Sequence, residues 1–435
     1  MTGSNYYVPT EGGDTVYTVA AAGMKFGAGA LGEIGDDARA LGMTRVALMT
    51  DTNVATTEAL TMVERSLRSA GLDVATYDGV RCEPTSESLA DATRFCRDAA
   101  CDGIVSLGGG SVMDTAKAAN LFATFPDEPL AYVNAPIGRG QPVPGTLMPH
   151  IACPTTCGTG AETTGIVVFD VTEIEVKTAI SSARLKPTLA VIDPITTATL
   201  PAGVVASTGF DVLTHAIESY TARPFTTRPR PPTPAERPPY QGANPYADIG
   251  AMAAIRIGGT YLERAVADSS DSEARHQLLF AASLAGMAFN SAGVHAPHAM
   301  SYPVSQFNHE YVADGYENAP PMVPHGISVV LNAPAAFRYL GPAVPQRHLE
   351  AAKALGADVR DAGPEDGGGL LAETMIGLMR RTGIPSGLAA LGYTDADVPR
   401  MAASAFQQKR PLGQAAKDLD ESDLAAIYRG AMRYW

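Results

Sequence analysis

Two side chains with metal-binding chemistry lie one helical turn apart in the second half of the chain. Asp211 and His215 are four positions apart in the apolar stretch TGFDVLTHAIESY, residues 208–220. Positions i and i+4 share one face of a helix, so this carboxylate and this imidazole can reach one metal ion. The alternative is a hydrogen-bonded Asp–His pair in the core, because burying these groups unpaired is costly. The spacing leaves both possibilities open.

The remaining ligands of such a site must come from other parts of the chain. His325 lies between Pro324 and Gly326 directly before an apolar run, which predicts a position at a helix entrance. His295 and His298 are three positions apart in GVHAPHAMSYP, and this spacing does not choose between them. The imidazoles that could complete the site are therefore His295, His298, His309 and His325.

A glycine run in the first half predicts a phosphate-binding turn. The stretch GIVSLGGGSVMDTAKAANLFA, residues 103–123, has the pattern of a strand, a turn and a helix that begins near Ser111. Gly108, Gly109 and Gly110 allow the backbone to approach a pyrophosphate, and the first N–H groups of the helix favour an anion. The run is not GxGxxG, so a plain tight turn is the alternative.

Other polar side chains could bind the rest of a dinucleotide. Asp51 ends the strand RVALMTD, where a carboxylate accepts hydrogen bonds from ribose hydroxyls and repels a 2'-phosphate, which favours NAD over NADP. Lys177 could bond to a cofactor ribose or be a solvated strand lysine. The loop PTTCGTGAETT presents hydroxyls and backbone amides together, from Thr155, Thr156, Thr159 and Thr164.

Two kinds of element must position these groups. Up to Asp193, apolar runs alternate with helical patterns, which indicates a parallel sheet with right-handed crossovers. Strands are predicted at 45–50, 73–78, 103–108, 150–155, 165–170 and 189–193, and helices at 53–71 and 88–100. Beyond this point the apolar positions follow the helical period, for example over 204–222, 273–293, 347–356 and 370–383. We predict an α/β dinucleotide-binding domain with a Rossmann-like parallel sheet over 1–198 and an all-α metal-binding domain over 199–435.

A proline-rich segment interrupts the helical half. Residues 223–248, RPFTTRPRPPTPAERPPYQGANPYAD, contain dense proline and few apolar residues. Such a composition favours neither a helix nor a core strand, so the segment is predicted to be an extended loop. A surface insertion, a lid or an oligomer contact would each fit this prediction.

Composition excludes several classes of protein. The chain has 435 residues, 46% hydrophobic and 18% charged, and no apolar stretch approaches the roughly 18 residues of a membrane span. Its net charge of -14 argues against a nucleic-acid partner. Five cysteines without a CxxC pair are predicted to be reduced. The opening MTGSNYYVPTEGGDTVYTV matches neither a secretory signal nor an Arg-rich transit peptide, which predicts a cytoplasmic protein.

Four motifs together resemble the iron-containing (group III) alcohol dehydrogenase family over nearly the whole chain. In order, they are GGGSVMDTAK, PTTCGTGAETT, IDPITTATLPAGVVASTGFDVLTHAIESYTA and VPHGISVVL. Within that family the chain is similar to the hydroxyacid-oxoacid transhydrogenases, through RCEPTSESL, APIGRGQPV and RPPYQGANPYADI. The resemblance implies the architecture shared with dehydroquinate synthase, with an α/β domain followed by a helical one.

The resemblance also implies a ligand set for a divalent metal, with Fe²⁺ favoured and Zn²⁺ as the alternative. One Asp and three His hold it, namely Asp211, His215, His298 and His325. His298 is preferred over His295 because HAMSYP fits the family's pattern His-Gly-Met-Ala-His-Pro. NAD(H) is implied as the second cofactor, and the positions from Gly108 to Asp114, including Ser111, match its binding residues.

The chain departs from the family pattern at two positions. Tyr302 stands where the family has a second His, and a phenol is a poorer base than imidazole at neutral pH. Glu83 stands where the family has an Asn that contacts the cofactor. We take Tyr302, His295 and Arg139 as catalytic candidates, with His295 as a pocket residue and Arg139 as the cation that would bind a substrate carboxylate.

The implied reaction is hydride transfer between a small hydroxy acid, such as 4-hydroxybutyrate, and an oxo acid, such as 2-oxoglutarate, through bound NAD. An ordinary NAD-dependent alcohol dehydrogenase or aldehyde reductase is the alternative. A lyase resembling dehydroquinate synthase fits less well, because the helical half lacks the Lys and Arg cluster that its phosphate site would need. A non-catalytic module that binds metal and nucleotide would leave the ligand set without a purpose. The family also implies a homo-oligomer, predicted as a dimer, with no membrane partner.

Overall fold

The computed structural model describes residues 6–20, 22–174, 176–308, 310–316, 319 and 321–435, so His309 lies outside the described residues. The chain forms two compact units, one of Ala21–Thr199 and one of Met1–Ala20 with Leu200–Trp435. The sequence analysis predicted a domain boundary at residue 198, which placed the whole N-terminus in the α/β domain. The N-terminal segment instead bonds to the helical unit, because the Thr18 amide donates to Gln241 Oε1 at 2.8 Å and the Tyr6 hydroxyl donates to the Ala222 carbonyl.

The α/β unit is built on a six-stranded parallel sheet with the order β1-β8-β5-β4-β2-β3. Its strands are β1 Gly23–Phe26, β2 Arg45–Met49, β3 Asp73–Tyr77, β4 Gly103–Gly108, β5 His150–Pro154 and β8 Leu189–Ile192. Its helices are α1 Ile34–Ala40, α2 Glu58–Ser69, α3 Ser86–Asp98, α4 Gly110–Thr124 and α5 Pro129–Tyr132. The parallel sheet predicted from the alternating pattern is confirmed, and β1 is an edge strand that the pattern missed.

Strand order brings the expected cofactor residues to one edge of the sheet. β2, β4 and β5 are neighbours in the sheet, and all three run parallel. Asp51, Gly108 and Thr155 therefore lie together at the carboxyl ends of these strands, where ligands bind in open α/β sheets. β4 is buried along its whole length, as expected for a parallel strand covered on both faces.

One predicted strand belongs to a different sheet. Residues 165–170 were expected to extend the parallel sheet, but β6 Ile166–Val171 pairs antiparallel with β7 Val176–Ser181. Only four residues separate β6 from β7, and a parallel pair would need a crossover of a dozen residues or so. The hairpin carries Lys177 on β7.

The C-terminal part of the second unit is helical, as predicted. Its helices are α6 Ala202–Thr221, α7 Pro245–Ala267, α8 Ser272–Ala292, α9 Ala296–Gln306, α10 His325–Val330, α11 Ala333–Leu340, α12 Pro345–Leu355, α13 Gly367–Arg381, α14 Val398–Phe406, α15 Lys409–Leu412 and α16 Glu421–Gly430. α6 packs against α7, α8 and α10 and is buried along most of its length. A helix that is apolar on all sides belongs in a core, so α6 is a rigid support for the polar side chains it carries.

The proline-rich segment is bound to the N-terminal segment by ion pairs. It contains two short 3-10 turns, at Phe225–Thr227 and Pro234–Glu236, and α7 begins at Pro245. The Asp14 side chain is fully buried and forms ion pairs with Arg228 at 2.5 Å and Arg237 at 3.0 Å. This arrangement, which we call the Asp14 clasp, attaches the segment to the first residues of the chain.

Among the described helices, none is by itself long and apolar enough to cross a bilayer. Only α8 and α9 taken together have the required length and hydropathy, and they are bent by 105° at the break between them.

Candidate functional site

The carboxylate of Asp211 lies among three imidazoles in the helical unit. α6 carries Asp211 and His215 one turn apart, α9 carries His298 as its third residue, and α10 begins at His325. From Asp211 Oδ1 the distances are 3.5 Å to His215 Nδ1, 3.4 Å to His298 Nε2 and 3.7 Å to His325 Nε2. Asp211, His298 and His325 thus offer ligand atoms that all lie within 4.8 Å of one another, and His215, the fourth residue predicted to bind metal, adjoins this group through Asp211.

The donor atoms of this cluster suit a metal ion. Asp211 Oδ1, His215 Nδ1 and His298 Nε2 are buried and have no hydrogen-bond partner in the described part of the chain. Ligand atoms about 2.1 Å from a tetrahedral ion lie about 3.4 Å apart, close to the distances from Asp211 Oδ1 to the three imidazole nitrogens. Three nitrogens and one oxygen form a donor set that accepts iron or zinc. The residues therefore fit the divalent metal that the family implies.

The protonation states of the cluster follow from burial and from neighbouring charges. Burial lowers the pKa of His215 to about 3, so its imidazole is neutral at pH 7. Burial favours the neutral form of the Asp211 carboxyl, but His215 and His325 hold its pKa well below the ordinary value. Burial also opposes protonation of His298, whereas Glu218 and Asp211 raise its pKa to about 9. A cation at this position would therefore compete with a proton for His298.

Glu218 completes the cluster and was missed in the sequence. It lies on α6 with a fully buried side chain, and its carboxylate contacts His298 Nδ1. The same carboxylate accepts hydrogen bonds from the backbone N–H groups of His295, at 2.8 Å, and His298, at 3.3 Å. A carboxylate on the second nitrogen of a ligand imidazole fixes its tautomer and ring orientation. Positions 211, 215 and 218 follow the helical spacing i, i+4 and i+7. This spacing was the signal in the sequence that could have identified Glu218 as part of the cluster.

We expect Glu218→Gln to weaken metal binding by about 10- to 100-fold, because the amide orients His298 less well than the carboxylate does. Competition with a chelator, followed by metal analysis, measures this change. Glu263→Gln is the matched control, since Glu263 lies on α7 and, among the described residues, forms an ion pair only with the exposed Arg381. Equal metal affinity in Glu218→Gln and in the unmodified protein would contradict the role given to Glu218.

His295 is a structural residue, contrary to its selection as a catalytic candidate. Its side chain is buried at the N-cap of α9, and Nδ1 accepts a hydrogen bond from the Ala296 amide at 2.8 Å. Nε2 is 3.0 Å from the Thr221 hydroxyl. Both ring nitrogens are therefore occupied, and burial lowers the pKa of His295 to about 4. Tyr302 follows His298 by four positions on α9 and is partly buried, so it lies on the face of the helix that carries His298.

Arg139 is engaged with acidic side chains of its own unit. Its Nη1 donates to Glu128 Oε2 at 2.9 Å, and its Nη2 lies 3.3 Å from Asp127 Oδ1. The side chain is about half exposed, at 47%. These contacts give Arg139 the properties of a surface ion pair, which argues against the predicted role as the substrate-binding cation.

The glycine run forms a turn that a second loop covers. Gly108 ends β4, Gly109 is the N-cap of α4, and Gly110 is its first residue, followed by Ser111. The loop after β5 packs closely here: a Cβ on Gly109 would lie 3.2 Å from Thr156 Cγ2, and one on Gly110 would lie 2.7 Å from Thr159 Cγ2. The glycines are therefore needed for this approach.

The first N–H groups of α4 have no acceptor within the helix, and Thr156 and Thr159 of the covering loop lie beside this turn, as a pyrophosphate-binding cradle would need. The Thr155 amide fixes the start of this loop by donating to the Gly108 carbonyl at 3.0 Å. Thr164, at its far end, is buried, and its amide bonds to the Ala161 carbonyl at 3.3 Å. Thr155 and Thr164 thus shape the loop, and Thr156 and Thr159 border the glycine turn.

Two acidic residues predicted to bind the cofactor have different surroundings. Asp51 is held at the end of β2, where Oδ1 accepts bonds from the Asn53 and Val54 amides at 2.9 and 3.0 Å. Asp114 joins α4 to β6, because Oδ2 accepts from the Val168 amide at 2.9 Å and Oδ1 lies 3.3 Å from Lys117 Nζ. Asp114 is thus a structural residue, and Asp51 is the one fixed at the edge of the sheet.

Lys177 pairs with Glu83, the residue that departs from the family pattern. The Lys177 side chain is buried, and its ammonium contacts Glu83 Oε2. Glu83 has a positive φ of 55°, and its amide donates to Ser111 Oγ at 3.3 Å. A non-glycine residue with a positive φ is held in that backbone conformation by the residues around it. Lys177 is therefore part of a charged pair beside the glycine turn, which excludes the solvated-lysine interpretation.

Comparison with known proteins identifies the class of both units. The family model described as "Iron-containing alcohol dehydrogenase" matches residues 22–194, and the C-terminal model of the Fe-containing alcohol dehydrogenase family matches residues 240–432. The chain belongs to the iron-containing alcohol dehydrogenase family and is an oxidoreductase acting on CH–OH groups, with NAD and a divalent metal as the cofactors of the family.

Individual relatives agree with this assignment. The chain is 45% identical to the mitochondrial hydroxyacid-oxoacid transhydrogenase of Rattus norvegicus, over 97% of this chain and 91% of that one. It is similar to a crystal structure of 1,3-propanediol oxidoreductase, with a TM-score of 0.84 and 30% identity over 96% of this chain and 100% of that one. It is also similar to sulfoacetaldehyde reductase from Bifidobacterium kashiwanohense in complex with NAD⁺, with a TM-score of 0.78 and 25% identity over 96% and 99% of the two chains.

The predicted cytoplasmic location is wrong by this comparison. The relatives that match nearly the whole chain, from rat and from human among others, are named as mitochondrial proteins. The prediction depended on the composition of a short N-terminal stretch, and a stretch of that length carries too little information to assign a compartment.

Proposed function

We propose that the protein transfers hydride between a small hydroxy acid of the 4-hydroxybutyrate type and an oxo acid of the 2-oxoglutarate type, through NAD that stays bound between turnovers. The observation that supports catalysis is the convergence of three imidazole nitrogens on Asp211 Oδ1 within 3.7 Å. The similarity to a hydroxyacid-oxoacid transhydrogenase supports the choice of substrates.

Asp211, His215, His298 and His325 would hold the metal, with iron favoured over zinc by the family. When bound, a divalent cation supplies Lewis acidity that acidifies an alcohol and polarises a carbonyl, and NAD accepts and returns a hydride. Asp211 contributes the charged ligand, and buried neutral His215 contributes a lone pair. Glu218 orients His298, and α6 keeps these groups in a rigid core.

The α/β unit would hold the dinucleotide at the carboxyl edge of its sheet. Gly109, Gly110 and Ser111 would present the N-terminus of α4 to the pyrophosphate, with Thr156 and Thr159 beside it. Asp51 would accept the ribose hydroxyls and discriminate against a 2'-phosphate, which favours NAD over NADP. The Lys177–Glu83 pair lies at the same turn through the contact between the Glu83 amide and Ser111.

Tyr302 would act as a hydrogen-bonding group that orients a ligand and not as the proton-accepting base. It stands one turn after His298, and a phenol is a poor base at neutral pH. His295 and Asp114 take no part in the proposed chemistry, because their polar atoms are bonded within the fold.

An ordinary NAD-linked alcohol dehydrogenase is the second candidate, favoured by the 30% identity to 1,3-propanediol oxidoreductase. The two functions differ in whether the cofactor leaves between turnovers and in whether the substrates are acids or neutral alcohols. The homodimer predicted from the family is also a proposal, which size-exclusion chromatography with light scattering tests.

The deciding experiment supplies 4-hydroxybutyrate and 2-oxoglutarate to purified metal-loaded protein without added NAD. We expect formation of 2-hydroxyglutarate together with succinic semialdehyde in equal amounts, and release of NAD from the protein only on denaturation. Omitting 2-oxoglutarate is the control and should stop turnover after one equivalent. Oxidation that needs added NAD and proceeds without any acceptor acid would refute retention of the cofactor and support the second candidate.

A further inference from the structure

One arginine of the helical unit, beside the helix that carries His298, has no acidic partner among the described residues. Arg410 lies on α15, which packs against α9. Among the described residues, no carboxylate lies within ion-pair distance of its guanidinium, and its Nη1 is buried without a hydrogen-bond partner. Buried guanidinium donors are normally satisfied, so an unsatisfied one calls for an explanation. An acceptor supplied by a ligand would provide it.

Arg410 is held in place by an aromatic ring. Its guanidinium carbon lies 4.6 Å from the centroid of the Tyr240 ring, within the range of a cation–π contact. Such stacking orients the plane of the guanidinium while leaving its N–H groups available in that plane. The edge of the group can then meet a carboxylate in a two-point contact.

Tyr240 connects Arg410 to the turn before the metal-binding helix. A Cβ on Gly293 would lie 2.9 Å from both Cγ and Cδ2 of Tyr240, so the ring packs directly on this glycine. Gly293 ends α8 with a φ of 89°, and α9 begins three residues later and carries His298 and Tyr302. Burial raises the pKa of Tyr240 to about 12, and the neighbouring Arg410 guanidinium opposes this rise. Arg410 is therefore linked, through the Tyr240 ring and Gly293, to the turn that leads into α9.

The metal cluster leaves little positive charge for an acidic substrate. Asp211 and Glu218 are both buried and acidic, and together they balance the two charges of a divalent cation, so a separate cation would favour binding of the carboxylate of a hydroxy acid. Arg139 is occupied by Glu128 and Asp127, whereas Arg410 is not occupied by any described carboxylate.

We propose that the Arg410 guanidinium binds the substrate carboxylate and thereby selects hydroxy and oxo acids over neutral alcohols. This inference rests on the proposed function, because it assumes acidic substrates. Arg410 is a specificity-determining residue in this scheme and takes no part in hydride transfer. The part of the chain that supplies it, α15, has no other assigned role.

The test compares 4-hydroxybutyrate with 1,4-butanediol, in which a neutral CH₂OH group replaces the carboxylate. The ratio of kcat/KM for the acid to that for the diol should fall by about 10- to 100-fold in Arg410→Gln, mainly through KM, since a hydrogen bond to a charged group is lost. Arg410→Lys should retain part of the preference. In metal-loaded protein, the Kd of unreactive succinate should weaken by a similar factor in Arg410→Gln.

Arg400→Gln is the matched control, since Arg400 lies 3.8 Å over the Phe307 ring in the same unit but is exposed. It should leave the acid-to-diol ratio unchanged. A ratio in Arg410→Gln within threefold of the unmodified value, or an equal loss on both substrates, would overturn the role of Arg410 and leave the proposed function intact. Failure of the unmodified protein to use any hydroxy acid while it oxidises the diol would overturn the proposed function and this inference together.

Discussion

Replacing His298 by alanine should abolish bound metal and lower kcat/KM by on the order of 10³-fold or more, while the fold stays intact. The variant removes one of the three imidazole nitrogens around Asp211 Oδ1, at 3.4 Å, and leaves two carboxylates without their shared partner. Metal coordination depends on the number and geometry of its ligands, so a site with one donor fewer binds weakly. Metal analysis after gel filtration, circular dichroism and hydride-transfer assays measure the three properties separately.

His276→Gln is the control for this experiment, because His276 lies on α8, outside the cluster. It should keep both metal and activity. Full metal content in His298→Ala would contradict the ligand assignment. Loss of the helical circular dichroism signal would instead show that His298 is needed for folding, in which case the Glu218→Gln variant carries the test of the site.

Gly110→Val should lower kcat/KM by about 100-fold or more and weaken NAD binding in parallel. A Cβ at this position would lie 2.7, 3.1 and 3.2 Å from Thr159 Cγ2, Oγ1 and Cβ. Rotation of the threonine does not relieve this overlap, because Cβ itself and both γ atoms are close. The loop after β5 must therefore move away from α4, and a shift of about 1 Å in a positioning group can cost roughly 10²-fold in rate. Titration of the metal-loaded protein with NADH, followed by fluorescence, measures the affinity.

Gly32→Ala is the matched control in the same unit, since a Cβ on Gly32 would meet no atom within 4 Å. It should bind NADH as the unmodified protein does. Equal affinity for NADH in Gly110→Val would show that the cofactor does not depend on this turn.

The sequence was informative where local pattern determines structure. The helical period predicted α6, α8, α12 and α13 to within a few residues, because each buries an apolar face whose spacing is visible in the chain. The pairing of Asp211 with His215 followed from i and i+4 spacing for the same reason. The parallel sheet followed from strands separated by helices, but β6 was assigned to it wrongly, since strand pairing is a long-range property.

Residue spacing alone did not show which of His295 and His298 lies beside Asp211. Positions i and i+3 share a face only if both lie in the helix, and His295 is the N-cap of α9, with φ −134° and ψ −119°. Its ring therefore turns toward Thr221 and not toward Asp211. The family pattern selected His298, whereas periodicity alone had no means of locating the helix boundary.

Interactions distant in sequence account for the other differences. Arg139 donates hydrogen bonds to Glu128 and Asp127, and Asp114 accepts one from the amide of Val168, 54 positions away. Local sequence pattern does not show either set of contacts. Arg410 shows the opposite case. It lies in a stretch without a motif, and only the fold shows that it pairs with no carboxylate of the described residues and that its Nη1 is buried without a hydrogen-bond partner.

The Asp14 clasp has a consequence for the order in which the protein is made. Asp14 leaves the ribosome before its partners Arg228 and Arg237, which emerge only after the complete α/β unit has been synthesised. Asp14 therefore has neither arginine available while the sheet forms, and the Asp14 clasp can form only after residues 228–237 have been synthesised. Domains generally fold as they emerge, so this chain should complete its α/β unit during translation and its metal-binding unit after it.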